Sequence, residues 1–571
     1  MWGVWCALLL SASVLTRCGA DGECPATQTA LGASYVSLGC GLGARWLSDD
    51  GLHLLEPLDL GGKKVVLVDG RTGPEYDDIT DIAISADGRR TVYAARRGEK
   101  SVAVVDGQEG PEYDDLGSLV LSRDGRHLAY TALNGNRSFV VRDGMPLPTE
   151  GKVVRGAMSP DGRRLTWVEW LRDAPDRCTV RDGREPLLFD WISLWGYSPD
   201  GSALYWIGMR NNQYACVLDG TAGPEYAYVW CPTFSPDGKH LAYIGVAAFA
   251  DRAAGRRTGG RSRVVVDGVE GPEYRWIGPS DGGLGWSARP VWSTDSTHLA
   301  YVAKKGDRFV AVVDGREGRD YAWVSNPCFS ADGRRVLYKA CRQAPSAEHA
   351  WHSSGSWVAV VDGAESAECD EVLSHSNLMG GWELPTFSPD GRRVAYAARR
   401  GRECFAVIDD QEGPTYQRVE PPLFSPDSRR VAYEACGDQG ESLVVDGVAG
   451  PSYGNVWQPL FSPDSQRVAY TAERYSHGQQ TWLVVVDGRE EAASRPWGIF
   501  LSPDNRHIAY LTSVGTAWRS PWHSVVIDGK GGPRYDDIIT PHLTFDRTGA
   551  VRYLARRTGV LYWVAQTPPA G

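Results

Sequence analysis

The chain has no excess of basic residues: 60 Lys plus Arg stand against 71 Asp plus Glu, a formal net charge of −11 over 571 residues. Phosphate backbones are held by positive surfaces, so no nucleic-acid partner is expected. Its 12 cysteines include no CxxC pair, which removes the usual spacing of a structural zinc site. Phosphate-binding P-loop and dinucleotide fingerprints are missing. A hydrolase nucleophile elbow needs a helix after its serine, and no segment here reads as one. After the N-terminus, no stretch approaches the roughly 20 apolar residues that span a bilayer. The Ala-, Leu- and Glu-rich blend of helical repeats is also absent; 66 Gly, 34 Pro, 22 Trp and 10% aromatic residues point instead to strands joined by tight turns.

What the chain does have is a unit of about 37 residues, written twelve times and begun a thirteenth. Residues 422–459 show it whole: an apolar stretch, a Ser425-x-Asp427 turn, Arg429-Arg430-Val431-Ala432-Tyr433, a run ending Val445-Asp446-Gly447, then Gly450-Pro451-Ser452-Tyr453. The turn serine recurs at 48, 85, 122, 159, 198, 235, 293, 330, 388, 425, 462 and 502. Self-similarity at a fixed period means stacked supersecondary units, and such stacks usually bind rather than catalyse.

Each unit carries four short segments rich in Val, Tyr and Phe. They end at the turn serine, cover the Arg-Val-Ala-Tyr run, precede Asp-Gly, and begin at Pro-x-Tyr. Asp-Gly, Pro-Asp and Gly-Pro punctuate them, so they read as strands. Several are apolar on consecutive residues, which requires burial on both faces. In an antiparallel repeat that follows when each four-stranded sheet sits between two like sheets, as in a β-propeller.

Phe387-Ser388-Pro389-Asp390-Gly391-Arg392-Arg393-Val394-Ala395-Tyr396, with close copies at 234–243 and 329–338, resembles the WD40-like (PD40) repeat of TolB-type propellers. The likeness covers nearly all the chain after residue 45. It implies a propeller and a protein partner without identifying one. Val-Asp-Gly-x-x-Gly-Pro-x-Tyr is a local variant, and 544–553 keeps only the outline of the turn.

Thirteen blades exceed the usual four to eight of one propeller, so the fold class is all-β with tandem propellers, six blades plus seven. The spacings Ser235–Ser293 and Ser330–Ser388 are the widest. A boundary within 276–290 gives a first propeller over 21–285 and a second over 286–571. The thirteenth unit has three strands, at 542–546, 550–556 and 560–566, and the segment 31–39 is expected to supply its fourth. Such closure could instead make the chain cross between propellers twice.

Strand alternation puts the Ser-x-Asp-Gly and Asp-Gly-x-x-Gly-Pro turns on one face. The insertions 246–262, 276–290, 342–356, 373–384, 474–480 and 513–523 fall on the other. Recognition usually resides in loops on a rigid scaffold. The candidate partner-binding residues are therefore Arg256, Arg257 and Arg261 in a basic loop, then Trp276, Trp286, His349, Trp351, His352, Trp382, Trp518 and Trp522. These tryptophans either anchor a partner or pack the loops onto their own blades. Trp195, Trp230, Trp323, Trp457 and Trp497 enter the innermost strands near the same face, where they either stack a ligand or pack between blades. His349-x-x-His352 lacks a third ligand, so no metal site, catalytic residue or cofactor is assigned. The acids of the opposite face serve the turns.

Residues 1–20, apolar from Trp5 to Leu15, resemble an export signal, with cleavage after Ala20 or a lipid anchor at Cys18 as competing routes. Cys24 with Cys40 is the plausible local disulfide, and the later cysteines read as buried free thiols. The expectation is an extracytoplasmic, periplasmic, secreted or lipid-anchored, scaffold that binds a protein or glycan of the cell envelope. The alternative is a carbohydrate-active hydrolase or lyase at a channel mouth.

Overall fold

The computed structural model describes residues 14–17, 26–33, 46–47, 53–59, 61–68, 71–174, 177–182, 187–249, 260–278, 289–343, 355–373, 385–476, 479–514, 522–538, 543–545, 549–558 and 560–568. Among them every helix or strand is a strand, and the strands form thirteen sheets, numbered here as blades 1 to 13 in chain order. Blade 11 shows the pattern. Asn455–Phe461, Val468–Ser476, Gln479–Val486 and Arg489–Ala493 pair antiparallel in sequence order. In blades 7 to 10 the first strand is interrupted. In blade 8, for example, Trp323–Val324 and Cys328–Phe329 both pair with Val336–Gln343. The protein is an all-β chain of tandem β-propeller blades.

Consecutive apolar residues are buried on both faces, as the pattern requires: Val394 to Ala398 of blade 9 are all interior. Ala395 and Ala397 leave room for Val419, Val431 and Tyr433 of blade 10. On the other face of blade 9, Tyr396 and Phe405 meet Leu337 and Trp357 of blade 8. Alanine recurs in the second strand because the neighbouring blade must approach closely.

The two consensus tyrosines also join blades. Tyr76, at the outer edge of blade 1, packs edge-on against Tyr93 of blade 2 at 6.1 Å, and Tyr274 and Tyr301 repeat the contact at 6.3 Å. Buried phenols resist ionisation, and desolvation pushes Tyr301, Tyr338 and Tyr396 up to about 12.

The repeated acids are turn residues. In blade 10, Ser425 Oγ donates to Asp427 Oδ1 at 2.6 Å and accepts the Arg430 N–H at 2.9 Å. Asp446, at φ 52°, accepts the Val431 N–H at 2.9 Å, and Arg430 Nε donates to its other oxygen at 2.9 Å. A turn glycine packs against the preceding blade: a Cβ on Gly238, whose φ is +77°, would lie 2.5 Å from Asp200 Oδ1. Where serine replaces it, Ser428 tolerates φ 66° and its Oγ accepts the Asp390 N–H of blade 9 at 2.9 Å.

Blade 13 is closed by the N-terminal strand Ala26–Ala33, which begins before the expected segment 31–39 and overlaps it at 31–33; residues 34–39 lie outside the described residues. This strand pairs antiparallel with Val560–Gln566, Thr27 opposite Ala565 and Thr29 opposite Trp563. Val14–Arg17, inside the expected leader, pairs with its far edge. Closure also moves the division of the chain. Packing gives one compact unit of Met1–Gly125 with Tyr453–Gly571 and another of Arg126–Ser452, so the chain crosses between units twice and the expected break at 285/286 is displaced. The physical reason is that a strand from the start completes the last sheet, binding first and last blades into one body.

Cys178, Cys216, Cys231, Cys328, Cys341, Cys369, Cys404 and Cys436 are free thiols, buried or half-buried. Burial pushes Cys216 up to about 12. The Cys24–Cys40 pairing lies outside the described residues. No described helix is long and apolar enough to cross a membrane.

Candidate functional site

Of the candidate residues, Arg256, Arg257, Trp286, His349, Trp351, His352, Trp382 and Trp518 lie outside the described residues. The other three are placed separately. Arg261 belongs to a strand, Gly260–Val266, that pairs with Leu241–Phe249, so the two ends of the expected loop 246–262, at 246–249 and 260–262, are β-ribbon; its guanidinium reaches Glu273 at 3.9 Å. Trp276 is 1% exposed and packs against Trp230 at 5.7 Å, which makes it an interior packing residue with no surface to offer a partner. Trp522 is half-buried with Arg534 above its ring at 4.2 Å.

The innermost-strand tryptophans divide between the two roles. Trp230 and Trp323 pack on Trp276 and Trp357. Trp457 and Trp497 line a cavity of about 350 Å³ between blades 11 and 12, together with Gln458, Thr471, Trp482, Arg495, Pro496, Ser513 and His523. That volume lies at the lower end of the ~300–1,000 Å³ typical of small-ligand sites.

Strand register assembles this cavity. Thr471 lies opposite Trp457, and Glu473 opposite both Asn455 and Trp482, so these side chains share the blade-11 face toward blade 12. The Trp457 and Trp482 rings stack at 5.3 Å and 20°. The link between the blades supplies Arg495, whose guanidinium stands 5.4 Å over Trp482, and the first strand of blade 12, Trp497–Leu501, supplies Trp497, 39% exposed. Blade 12 contributes Ser513 with His523 opposite it in register. Gln458 Oε1 accepts the Gly498 N–H at 3.2 Å, tying blade 11 to the first strand of blade 12.

Two features of the polar groups stand out. His523 Nδ1 is buried without a hydrogen-bond partner, although its backbone pairs with Tyr535 at 2.7 and 2.8 Å. Among the described residues no carboxylate lines the cavity. Glu473, 2% exposed, lies outside the lining; its Oε2 accepts from Asn455 Nδ2 at 2.8 Å and its Oε1 has no partner. An aromatic shelf with arginine and histidine suits the flat apolar face and polar rim of a sugar.

In the other unit, Lys339 is buried between Trp323 and Trp357, its ammonium 5.8 and 5.4 Å from their centroids. Desolvation brings it down to about 8 against the pull of Glu371, which is itself paired with Arg399 at 3.0 Å. The string Gly450–Gly454 reads Gly-x-Ser-x-Gly, but no helix follows it and Ser452 Oγ meets only Ser442 Oγ, at 3.2 Å. Among the described residues no group of three or more His, Cys, Asp or Glu could hold a metal.

The residues that sequence reasoning missed are Trp482 and Arg495. Trp482 was legible in principle. It and His523 each face the residue eleven past their turn serines, Glu473 and Ser513, so the register marks them as equivalent. Arg495 carries no such signal.

No protein-family model matches the chain. No curated protein matches it. Among solved structures it is similar to a eukaryotic initiation factor at TM-score 0.31 and 11% identity, over 72% of this chain and 100% of the other. It is similar to the tricorn protease at TM-score 0.22 and 15% identity, over 81% of this chain and 46% of that one. The β-propeller domain of the Trilobed protease from Pyrococcus furiosus aligns at TM-score 0.21 and 14% identity, over 60% and 98%. The blade architecture rests on the sheets themselves.

Proposed function

We propose that this chain is a non-enzymatic binding protein with WD40-like repeats of the TolB type, acting outside the cytoplasm on a glycan of the cell envelope. The observation that carries the reading is the cavity between blades 11 and 12. Three tryptophans, an arginine and a histidine line it, and no carboxylate does among the described residues. Glycosidases of the common kind need a pair of carboxylates flanking the bond, whereas stacking surfaces and donors suffice for retention. Export is supported by the apolar stretch Trp5–Leu15.

A hydrolase or lyase is the second reading, favoured by one observation: the partnerless Oε1 of buried Glu473 behind Trp482. The test is a glycan array probed with the full chain, followed by product analysis of every ligand retained. Retention of unaltered saccharide supports the binding reading, and cleaved product replaces it with the enzymatic one. Capture of an envelope protein with no saccharide retained would assign the insertion face to a protein partner.

A further inference from the structure

We propose that the cavity between blades 11 and 12 selects an uncharged saccharide carrying acetamido groups, with Trp497 stacking on the pyranose ring and Gln458 Nε2 donating to the acetamido carbonyl. This rests on the glycan-binding reading above and adds the chemical class of the sugar.

Two facing bulges build the site. In blade 11 the register between first and second strands slips between Trp457 and Leu460, and in blade 12 it slips between Trp497 and Phe500. Such a slip takes backbone groups out of the ladder and re-aims the side chains beside it. Gln458 and Gly498, at φ 55° and 60°, each stand four residues before their turn serines, Ser462 and Ser502, so they hold the same place in adjacent blades. The Gly498 N–H donates across the gap to Gln458 Oε1 at 3.2 Å. A backbone N–H needs an acceptor, so this bond fixes which end of the carboxamide is oxygen. It leaves Nε2, with its two donors, for a ligand in the cavity that Gln458 lines.

The indoles divide between floor and contact surface. Trp457 and Trp482 stack on each other, and the Arg495 guanidinium lies over Trp482 at 5.4 Å. Trp497, next to Gly498, is 39% exposed and is the ring left to take the flat face of a sugar. Pro496 adds apolar surface to the lining, and Ser513, 4% exposed, adds a hydroxyl. A sugar hydroxyl could accept from Gln458 Nε2 but would leave the Pro496 and Trp497 surface facing water. An acetamido group offers a carbonyl oxygen to the donor and a methyl group to the apolar surface, which uses both. The fit calls on no charged group.

The test is calorimetric titration of the full chain with chitotetraose and cellotetraose, equally linked oligomers that differ only in bearing an acetamido or a hydroxyl group on the second carbon of each ring. The expected result is that chitotetraose binds about 10-fold or more tightly than cellotetraose. Gln458→Glu keeps the acceptor for Gly498 and removes the donor, so it brings the two affinities together with unchanged thermal unfolding. Trp497→Ala weakens both oligomers alike. Full discrimination retained by folded Gln458→Glu overturns the role of Nε2. Equal affinity of the wild-type chain for both oligomers, or a preference for cellotetraose, overturns acetamido selection and leaves the glycan reading standing. No binding of either oligomer, with the protein folded, overturns this inference; the array then decides the broader reading separately. The wild-type comparison alone is decisive should the variants fold poorly.

Discussion

The Tyr76 hydroxyl donates a 2.8 Å hydrogen bond to the Glu109 carboxylate, joining the outer strand of blade 1 to that of blade 2. Arg97 holds the same carboxylate at 2.6 Å and lies 5.1 Å over the Tyr76 ring. Tyr321 and Glu365 repeat the bond at 2.8 Å. The tyrosine of Gly-Pro-x-Tyr, or of its variant Gly318-Arg319-Asp320-Tyr321, and the glutamate three residues beyond the next blade's Val-Asp-Gly aspartate are thus two halves of one inter-blade fastening.

Acid should loosen these fastenings. The Arg97 bond, then the Tyr76 bond, hold Glu109 below the usual 4.5, and Arg342 does the same for Glu365. A carboxylate with a depressed folded value adds stability above its unfolded value, lost as pH falls through the folded one. Melting temperature should therefore drop as pH falls below about 4.5. Glu109→Gln should cost about 1 kcal/mol at pH 7 and flatten that drop, read by calorimetry across pH 3–7.

Lys339 predicts the opposite slope in alkali. Its folded value of about 8 lies below the unfolded 10.5, so between them the unfolded chain holds more protons and stability rises with pH. Lys339→Met should abolish the rise and be neutral or stabilising at pH 7, since it replaces a 6% exposed cation by an apolar chain. Chemical denaturation at pH 7 and pH 9 checks both.

Truncating the stacked shelf should damage binding more than folding. Trp497→Ala, at a 39% exposed ring, should weaken saccharide affinity about 10-fold while shifting melting by little. Trp482→Ala should lower both, since Trp482 also stacks on Trp457. Titration with calorimetry separates the two.

The closing strand can be tested by length. A chain beginning at residue 21 retains Ala26–Ala33; one beginning at residue 34 leaves the Val560–Gln566 edge unpaired. The shorter chain should melt at lower temperature and self-associate in size-exclusion chromatography, because an open sheet edge pairs with other chains.

The repeat was legible because each position does the same work in every blade: Ser425 and Asp427 build a turn, Ala395 admits a neighbour, Tyr76 fastens one. The aromatic positions were less so. Trp276 and Trp497 are alike as residues at the insertion side, yet one is interior against Trp230 and the other is a third exposed beside Arg495. Composition cannot separate them, because exposure depends on which blade lies alongside.

By itself, then, the sequence determined strand, turn and blade, since these follow from local propensity, alternation and fixed spacing. Tertiary structure alone decided that Ala26–Ala33 closes blade 13, that the units divide at Gly125 and Ser452, and that Trp457, Trp482, Arg495 and His523 share one cavity. Each of these depends on pairing between segments distant in the chain or on packing between neighbouring blades, and a 37-residue pattern that repeats everywhere carries no record of either.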